Sequence, residues 1–590
     1  MDDKSIKLKH SASHIMTAAV QMLYGKDKIS LGVGPWTEEG FYQDFDFSKV
    51  DFKETDLKKI EKKMRWIINK DFPIKKQVVS KEEALALHKG DRYKEELIEE
   101  ISKNGEEISV YYIGENLENA ISSQLCEGPH IEKTGQLKAF KLTKIAGAYW
   151  RGDENNPMLT RIYGVAFEDE EELKKYQEKI EEAKKRDHRK LGKELGLFTF
   201  SDLIGAGLPL FTPKGTLMRD LITNKIWGLQ KELGWKRVTI PHITKKELYE
   251  TSGHWEKFKD DLFKVKGKGD TQFVMKPMNC PHHTQIYASE PRSYKDLPIR
   301  FAENGVVYRD EQAGELLGLA RVRAITQDDG HAFCAEDQIE EEIRNIVSII
   351  KSFYTSLGMY KDGEFWVSLS VSDPKHPEKY MIEEDGLFIK AEETLERIAK
   401  EENLPYKRIE GEAAFYGPKL DFQFKDALGR EWQLGTVQLD FSMPKRFNLE
   451  YTDKDGKKKR PIMIHRAIAG SLERFMAVMI EHFAGHFPVW LAPEQLRIIP
   501  IANEYDEYAQ SALKEMQNAD IRVYFDNSTD SLGKKIRKAK TEKIPYIAVI
   551  GEDEQKTNSL KIEASKNTDI KSGVYGIDEF IQKLQSEISA

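Results

Sequence analysis

Apolar positions along the chain alternate between a spacing of three to four residues and a spacing of two, so blocks of helix and strand are interleaved from end to end. Near the start, SASHIMTAAVQML has helical spacing and predicts an amphipathic helix, with His10 and His14 one turn apart on a shared face. Much later, QLCEGPHI is punctuated by Gly128 and Pro129 and predicts a turn carrying Cys126 and His130. Residues 168–193 are dense in Glu, Lys and Arg, with Leu173, Tyr176, Ile180 and Ala183 at helical spacing, which predicts one linker helix with a packed stripe and a solvated charged face. GWKRVTIPHI predicts a strand ended by Pro241. FAENGVVYR and VRAITQDDGHAFC are β-rich and flank a Gly-containing connection, so residues 300–334 predict a long hairpin whose second strand opens at Arg321. A long helix over 335–357, several strands between GEAAFYGPK and SMPKRF, and an apolar helix in IHRAIAGSLERFMAVMIEHFAG follow. At the end, the apolar strands LRIIPI, IRVYFD and YIAVIG alternate with the helices EYAQSALKEMQ and LGKKIRKAKTEK. This predicts a βαβ unit with a parallel sheet, with a final helix from Ile577.

The hairpin carries the densest chemistry. Alternation from Ala324 puts Gln327, Asp329 and His331 on one side and Thr326, Asp328 and Gly330 on the other. Arg309 and Glu311 share a face on the first strand. Buried, such a set needs a polar ligand; spacing alone leaves a solvated hairpin face equally open.

Composition narrows the setting. A chain of 590 residues allows three or four domains, and 39% hydrophobic residues support packed cores. A net charge of −8 means that any nucleic-acid partner must be met by local basic patches. Three scattered cysteines, Cys126, Cys280 and Cys334, do not suggest a disulfide framework and fit a reducing cytosol. Neither a signal peptide nor a membrane span is evident.

YRDE followed by a loop and a returning arginine resembles motif 2 of class II aminoacyl-tRNA synthetases, and ENGVVYRDEQAGELLGLARVRAITQDDGHAFC resembles its threonyl-tRNA synthetase version, of bacterial type. GWKRVTIPHI resembles motif 1, which usually forms the dimer interface; the alternative is a proline-capped edge strand. IHRAIAGSLERF resembles motif 3, with Arg474 near the helix start. HxxxH followed by CxGPH, and AGAYWRGDENNPMLTRIYGVAF, are similar to the editing domain of threonyl- and alanyl-tRNA synthetases. Threonyl enzymes usually read Asp-x-Cys-Arg-Gly-Pro-His there; Gln124 and Glu127 stand in for the acid and the arginine, which swaps charge near the RNA end and removes one proton carrier. The ubiquitin-like domain with which the family commonly starts is expected to be absent. The resemblance implies an α/β and α+β multidomain protein: an N-terminal α+β editing domain over 1–167, a linker helix over 168–193, a class II antiparallel-sheet catalytic domain over 194–490 and a C-terminal α/β anticodon-binding domain over 491–590. In the last, Lys534, Lys535, Arg537 and Lys538 form the clearest basic patch, with Lys561 and Lys566 available nearby.

The implied activity is ATP-dependent activation of L-threonine, transfer to the 3′ end of tRNA(Thr), and hydrolysis of seryl-tRNA(Thr) by a cytoplasmic homodimer. Arg309 and Arg474 carry the catalytic roles, with ATP bound by Arg309, Glu311, Arg321, Gln433, Thr436, Ser471 and Arg474 together with Mg2+. Threonine is held by Met278, Arg309, Gln327, Asp329, Tyr416, Lys419 and Gln438. One Zn2+ per subunit is implied at Cys280, His331 and His465, one thiolate and two imidazoles, which leaves coordination free for an amino and a hydroxyl group. Spacing does not show this triad; separately its members read as a buried Cys, a strand His and a helix-start His. His283 is read as structural, His282 as a replacement for a family glycine, and Cys334 as buried packing. His10, His14, Cys126 and His130 form the implied editing site, as a metal site or as groups orienting water. Two other readings, a non-catalytic RNA-binding relative and a zinc hydrolase centred on those four residues, leave the motif arginines without a purpose.

Overall fold

The computed structural model describes residues 3–380 and 386–589. They divide into two compact units, residues up to 182 and residues from 183.

The first unit is built around the Asp3–Tyr24 helix. The sequence predicts an amphipathic helix, yet every residue from Ser11 to Val20 is buried. The residues explain this: small Ser, Ala and Thr side chains let neighbours close in on all sides, Thr17 returns its hydroxyl proton to the helix carbonyl of Ser13 at 3.0 Å, and Ser13 donates to Gly34 O at 2.9 Å. Phe41, Phe45, Met64, Leu142 and Ile162 pack around it. A four-stranded antiparallel sheet, in the order Ser30–Leu31, Phe41–Asp46, Met158–Phe167, Ala139–Tyr149, covers part of its surface. A second antiparallel sheet, Ile74–Val78, Ser109–Ile113 and Ser122–Leu125, delivers the chain to Cys126.

The expected single linker helix is two, Glu170–Arg186 and His188–Glu194. Asp187 makes the break: its carboxylate accepts from Arg189 N at 2.8 Å and so caps the second helix. The stripe is also shorter than expected, because Leu173 and Tyr176 pack with Phe167 whereas Ile180 is 37% exposed.

The second unit centres on an eight-stranded sheet. Its order is Lys236–Arg237, Ile299–Tyr308, Ala324–Cys334, Ile462–Ala467, Glu431–Asp440, Lys419–Lys425, Phe365–Val371, Tyr406–Glu410. Every pairing is antiparallel except the outermost one at each edge. The Ile339–Thr355 helix buries Ile343, Ile346, Val347, Ile350 and Phe353 behind it, at roughly 1.5–3 kcal/mol for each large apolar side chain. The hairpin forms with Tyr308 opposite Ala324. Arg321 does not open the second strand: residues 309–323 leave the ladder as a loop, closed at its base by Arg309 N donating to Arg323 O at 3.0 Å. The motif 1 segment, whose last residue Ile243 pairs with Met275 in a separate three-stranded sheet, joins the eight-stranded sheet only at Lys236 and Arg237. Beyond them Ile240 N donates to the Glu303 carboxylate at 3.1 Å instead of to a strand carbonyl, and Pro241 has no N–H to offer.

The C-terminal strands Val523–Phe525, Leu496–Pro500 and Tyr546–Ile550 are parallel, as the βαβ pattern predicts. Ser559–Ala564 and Gly573–Gly576 then extend the sheet antiparallel, and the chain closes on the Ile577–Ser589 helix.

Candidate functional site

Strand register assembles the site in the second unit. His331 lies opposite His465, His465 opposite Gln438, and Gln438 opposite Lys419, so four neighbouring strands place these side chains in one row. Two residues along, on the same face, come Asp329, Thr436 and Asp421, the last two paired with each other. The face predicted from alternation is therefore a site face. The opposite face is interior: Thr326 donates its hydroxyl to Glu473 at 2.7 Å, and Asp328 accepts from Arg466 at 2.7 Å and from Ile468 N at 2.8 Å.

Cys280, at the start of the Cys280–Ala288 helix, brings its sulfur to this row, and one donor atom from each of Cys280, His331 and His465 falls within 4.8 Å of the others. The remaining ring nitrogens are engaged. His465 Nε2 lies 2.8 Å from Asp440 Oδ2, an acceptor, so the ring carries its proton there and keeps a lone pair on Nδ1. His331 Nδ1 lies 2.7 Å from His283 Nδ1, and His283 Nε2 lies 3.4 Å from Glu303. Because Glu303 accepts, the chain of protons leaves the lone pair of His331 on Nε2. Burial first, then the neighbouring imidazoles, holds His331 well below its ordinary pKa, so this ligand is deprotonated. Burial pushes the Cys280 thiol well above its usual value; a cation binding there displaces the thiol proton. The donor set and its fixed tautomers fit Zn2+. His283 is thus the group that sets the His331 tautomer. His282 is buried, with neither ring nitrogen hydrogen-bonded among the described residues. Cys334 is buried core.

The other predicted residues surround this row. Asp329 accepts from Asn279 Nδ2 at 3.0 Å, and burial raises its carboxyl. Tyr416 donates to Gln438 at 2.7 Å. Arg309 reaches Met278 Sδ at 3.6 Å, and burial pulls the guanidinium down from its ordinary value. Gln327 bridges to Ser471, whose hydroxyl caps the Leu472–His482 helix by accepting from Arg474 N at 3.2 Å. Arg474 Nε donates to Ala320 O at 3.1 Å. Gln433 and Thr436 both donate to Asp421 Oδ1, at 2.8 and 2.7 Å, and Lys419 pairs with its other oxygen. Arg321 is tied to Glu311 at 2.8 Å and Glu315 at 3.0 Å. Asp421, Asp440 and Glu303 escaped the sequence reading, because single acids inside strands look alike until a partner strand is placed beside them.

In the first unit His10 and His14 from the long helix meet Cys126 and His130 from the loop after Ser122–Leu125, with one donor atom from each within 4.8 Å. Cys126 Sγ stands 3.4 Å from His10 Nε2 and 3.3 Å from His130 Nε2, and Ser11 Oγ lies 3.0 Å from His130 Nδ1. Burial holds the pKa of His14 well below normal and that of His130 at about 2. Gly128 has φ +89°, and a Cβ there would lie 2.4 Å from the Tyr111 hydroxyl, so the turn needs glycine. A cavity of about 430 Å³ opens beside the cluster, lined also by Lys94, Gln124 and Glu127. Gln124 is buried and donates to His14 O at 3.3 Å, whereas Glu127 is exposed. Lys94, only 5% exposed, is the functional candidate that the sequence did not reveal. Burial lowers its pKa, opposed by Asp91 and Cys126. In RYKEELIEE it looks like one more solvated helix lysine.

The C-terminal basic patch is smaller than predicted. Lys535 is buried and donates to Asp526 O at 3.0 Å, so it serves the fold, and Lys534 pairs with Asp530 at 2.7 Å. Arg537 and Lys538 are exposed on the Leu532–Thr541 helix.

Comparisons with known proteins agree with this arrangement. Residues 263–483 match the tRNA synthetase class II core domain (G, H, P, S and T). Residues 495–587 match an anticodon binding domain, and 108–163 the threonyl and alanyl tRNA synthetase second additional domain. Fold and site together are those of a class II aminoacyl-tRNA synthetase with an editing module. A threonine–tRNA ligase from Cytophaga hutchinsonii is 47% identical over 98% of this chain and 88% of its own length, and one from Gloeobacter violaceus is 46% identical over 100% and 93%. The solved RNA binding domain of threonyl-tRNA synthetase from Cryptosporidium parvum superposes with a TM-score of 0.63 at 35% identity, covering 68% of this chain and 98% of that one. The chain belongs to the threonine–tRNA ligase family.

Proposed function

We propose that this chain activates L-threonine with ATP, transfers it to the 3′ end of tRNA(Thr), and hydrolyses seryl-tRNA(Thr) in its first unit. The observation that carries the reading is the row of His331, His465, Gln438 and Lys419, with Cys280 reaching the same point and Arg309 beside it. In activation a carboxylate oxygen of threonine attacks the α-phosphorus of ATP and pyrophosphate leaves. In transfer a ribose hydroxyl of the tRNA attacks the acyl carbon and AMP leaves. Two anions meet in the first step, and the largely buried Arg309 guanidinium is the cation to sit between them, because water screens it little there. Arg474 and Arg321 hold the phosphates with Mg2+, and Glu311 accepts from the adenine amino group, while Gln433, Thr436 and Ser471 line the nucleotide side. The Arg321–Glu311 pair must open for this, which an exposed ion pair worth about 0–1 kcal/mol permits.

Cys280, His331 and His465 would hold Zn2+, which would supply open coordination for the substrate's amino and hydroxyl groups. Asp329, Tyr416 and Gln438 orient those groups, and Met278 and Gln327 close the pocket. A site that binds a hydroxyl rejects its absence by about 10⁴-fold or more, whereas a missing methyl gives only about 10–200-fold. Serine therefore calls for a second site, and His10, His14, Cys126, His130 and Lys94 fit it. Exposed Arg537 and Lys538, with Lys534, meet the tRNA backbone. The motif 1 edge at Lys236–Arg237 is the surface for a homodimer, and three unpaired cysteines suit the cytoplasm.

Amino-acid-dependent ATP–pyrophosphate exchange tests the reading. Exchange is expected with threonine, weakly with serine, and at background with valine; robust exchange with valine refutes recognition through the hydroxyl.

A further inference from the structure

Asp187, His188 and Glu481 bring three potential metal donors within 4.8 Å of one another. The imidazole is already fully used. His188 Nδ1 lies 2.6 Å from Glu481 Oε1, and His188 Nε2 accepts from the backbone N–H of Leu319 at 3.0 Å. A backbone N–H can only donate, so the ring is neutral and carries its proton on Nδ1. What this group holds is the loop over 309–323.

The next carbonyl along, Ala320 O, accepts from Arg474 Nε at 3.1 Å. Arg474 and Glu481 both stand on the Leu472–His482 helix, two turns apart on one face. One helix therefore grips two consecutive loop residues, Ala320 directly and Leu319 through His188. The fit is close: Gly318 has φ +52°, and a Cβ there would lie 2.3 Å from His188 Nε2 and 2.7 Å from Arg189 Cγ. At the end of the loop, Arg323 N donates to Gly207 O at 2.8 Å. His188 is itself anchored, because its own N–H donates to Glu481 at 3.0 Å and Arg186 donates to His482 O at 2.9 Å.

We propose that His188, through its bonds to Leu319 N and Glu481, is a positioning residue for the ATP site, fixing the loop that carries Glu311 and Arg321 against Arg474. The proposal rests on the nucleotide-binding reading of that loop. It is tested in the full-length protein with His188→Ala, with His188→Asn, which keeps a donor for Glu481 but cannot reach Leu319, and with Leu395→Ala as a core control. The readouts are hydrogen exchange across residues 312–323, KM for ATP and for threonine, zinc content and Tm. Both His188 variants are expected to exchange faster across the loop and to raise KM for ATP about ten-fold or more, with KM for threonine and zinc unchanged. Leu395→Ala is expected to lower Tm without either effect. Unchanged loop exchange in the His188 variants overturns the proposal, as does a rise of both KM values in step with Tm. If the wild-type chain shows no threonine-dependent exchange, the ligase reading fails and the hydrogen-exchange comparison alone decides the clamp.

Discussion

Asp440 is fully buried and accepts three hydrogen bonds at 2.8 Å: from Ser442 N and Met443 N on Oδ1, and from His465 Nε2 on Oδ2. Asp440→Asn separates these duties. The amide oxygen still serves the two turn N–H groups, but the NH2 group now faces His465 Nε2. Two donors cannot face each other, so the imidazole must move its proton to Nδ1, the nitrogen whose lone pair faces Cys280 and His331. The fold loses one charge-assisted bond while the cation site loses a ligand in its binding tautomer. Removing such an outer partner lowers metal affinity by about 10–100-fold, or about 1.4–2.7 kcal/mol. The assay is zinc affinity by competition with a chelator, measured beside threonine-dependent pyrophosphate exchange and Tm. Zinc affinity and exchange are expected to fall together, and added zinc restores part of the exchange. Wild-type zinc affinity in a folded Asp440→Asn protein would refute the assignment of the His465 proton, and with it the reason for placing Asp440 beside the triad.

Lys94→Met is expected to abolish hydrolysis of seryl-tRNA(Thr) while leaving pyrophosphate exchange unchanged; intact hydrolysis would remove Lys94 from the site. Gly128→Ala forces a Cβ toward Tyr111 at positive φ, and is expected to cost about 1–3 kcal/mol and the same hydrolysis, read as Tm and as accumulated seryl-tRNA. Burial depresses His130 to about 2 and His88 to about 4, so the unfolded chain binds more protons below pH 6.5. Their contribution is therefore complete above about pH 6.5 and is lost as the pH falls toward those values, at up to about 1.4 kcal/mol per pH unit for each histidine. His130→Asn should flatten the fall of Tm between pH 6.5 and 4, and an unchanged slope counts against burial as its cause. Arg537→Ala with Lys538→Ala is expected to weaken tRNA binding in a salt-dependent way without changing Tm, whereas Lys535→Met lowers Tm; the opposite pattern would contradict the burial of Lys535.

Local order was legible in the residues alone. Alternation across VRAITQDDGHAFC separates Gln327, Asp329 and His331 from Thr326 and Asp328 because backbone geometry sends successive side chains to opposite faces whatever lies beyond. The apolar helix within IHRAIAGSLERFMAVMIEHFAG and the first three C-terminal strands follow from equally short-range rules. Wherever packing competes with such a rule, the sequence misleads. The Ser11–Val20 stretch of the Asp3–Tyr24 helix is buried all round because its neighbours close over Ser, Ala and Thr. The linker breaks where Asp187 finds a cap to make, and Lys535 turns inward to a carbonyl.

The site itself was named through family likeness, and only the tertiary structure supplied its geometry. Cys280, His331 and His465 meet because cross-strand register sets His331 against His465 and a helix start brings in the sulfur. Lys94, Asp440 and the His188 clamp carry no mark in the chain, since each draws its role from a partner far away in sequence. Side-chain spacing along one element is fixed by covalent geometry and can be read from neighbours. Convergence of distant elements depends on which strands pair and in which register, and that is settled by the packing of the whole core.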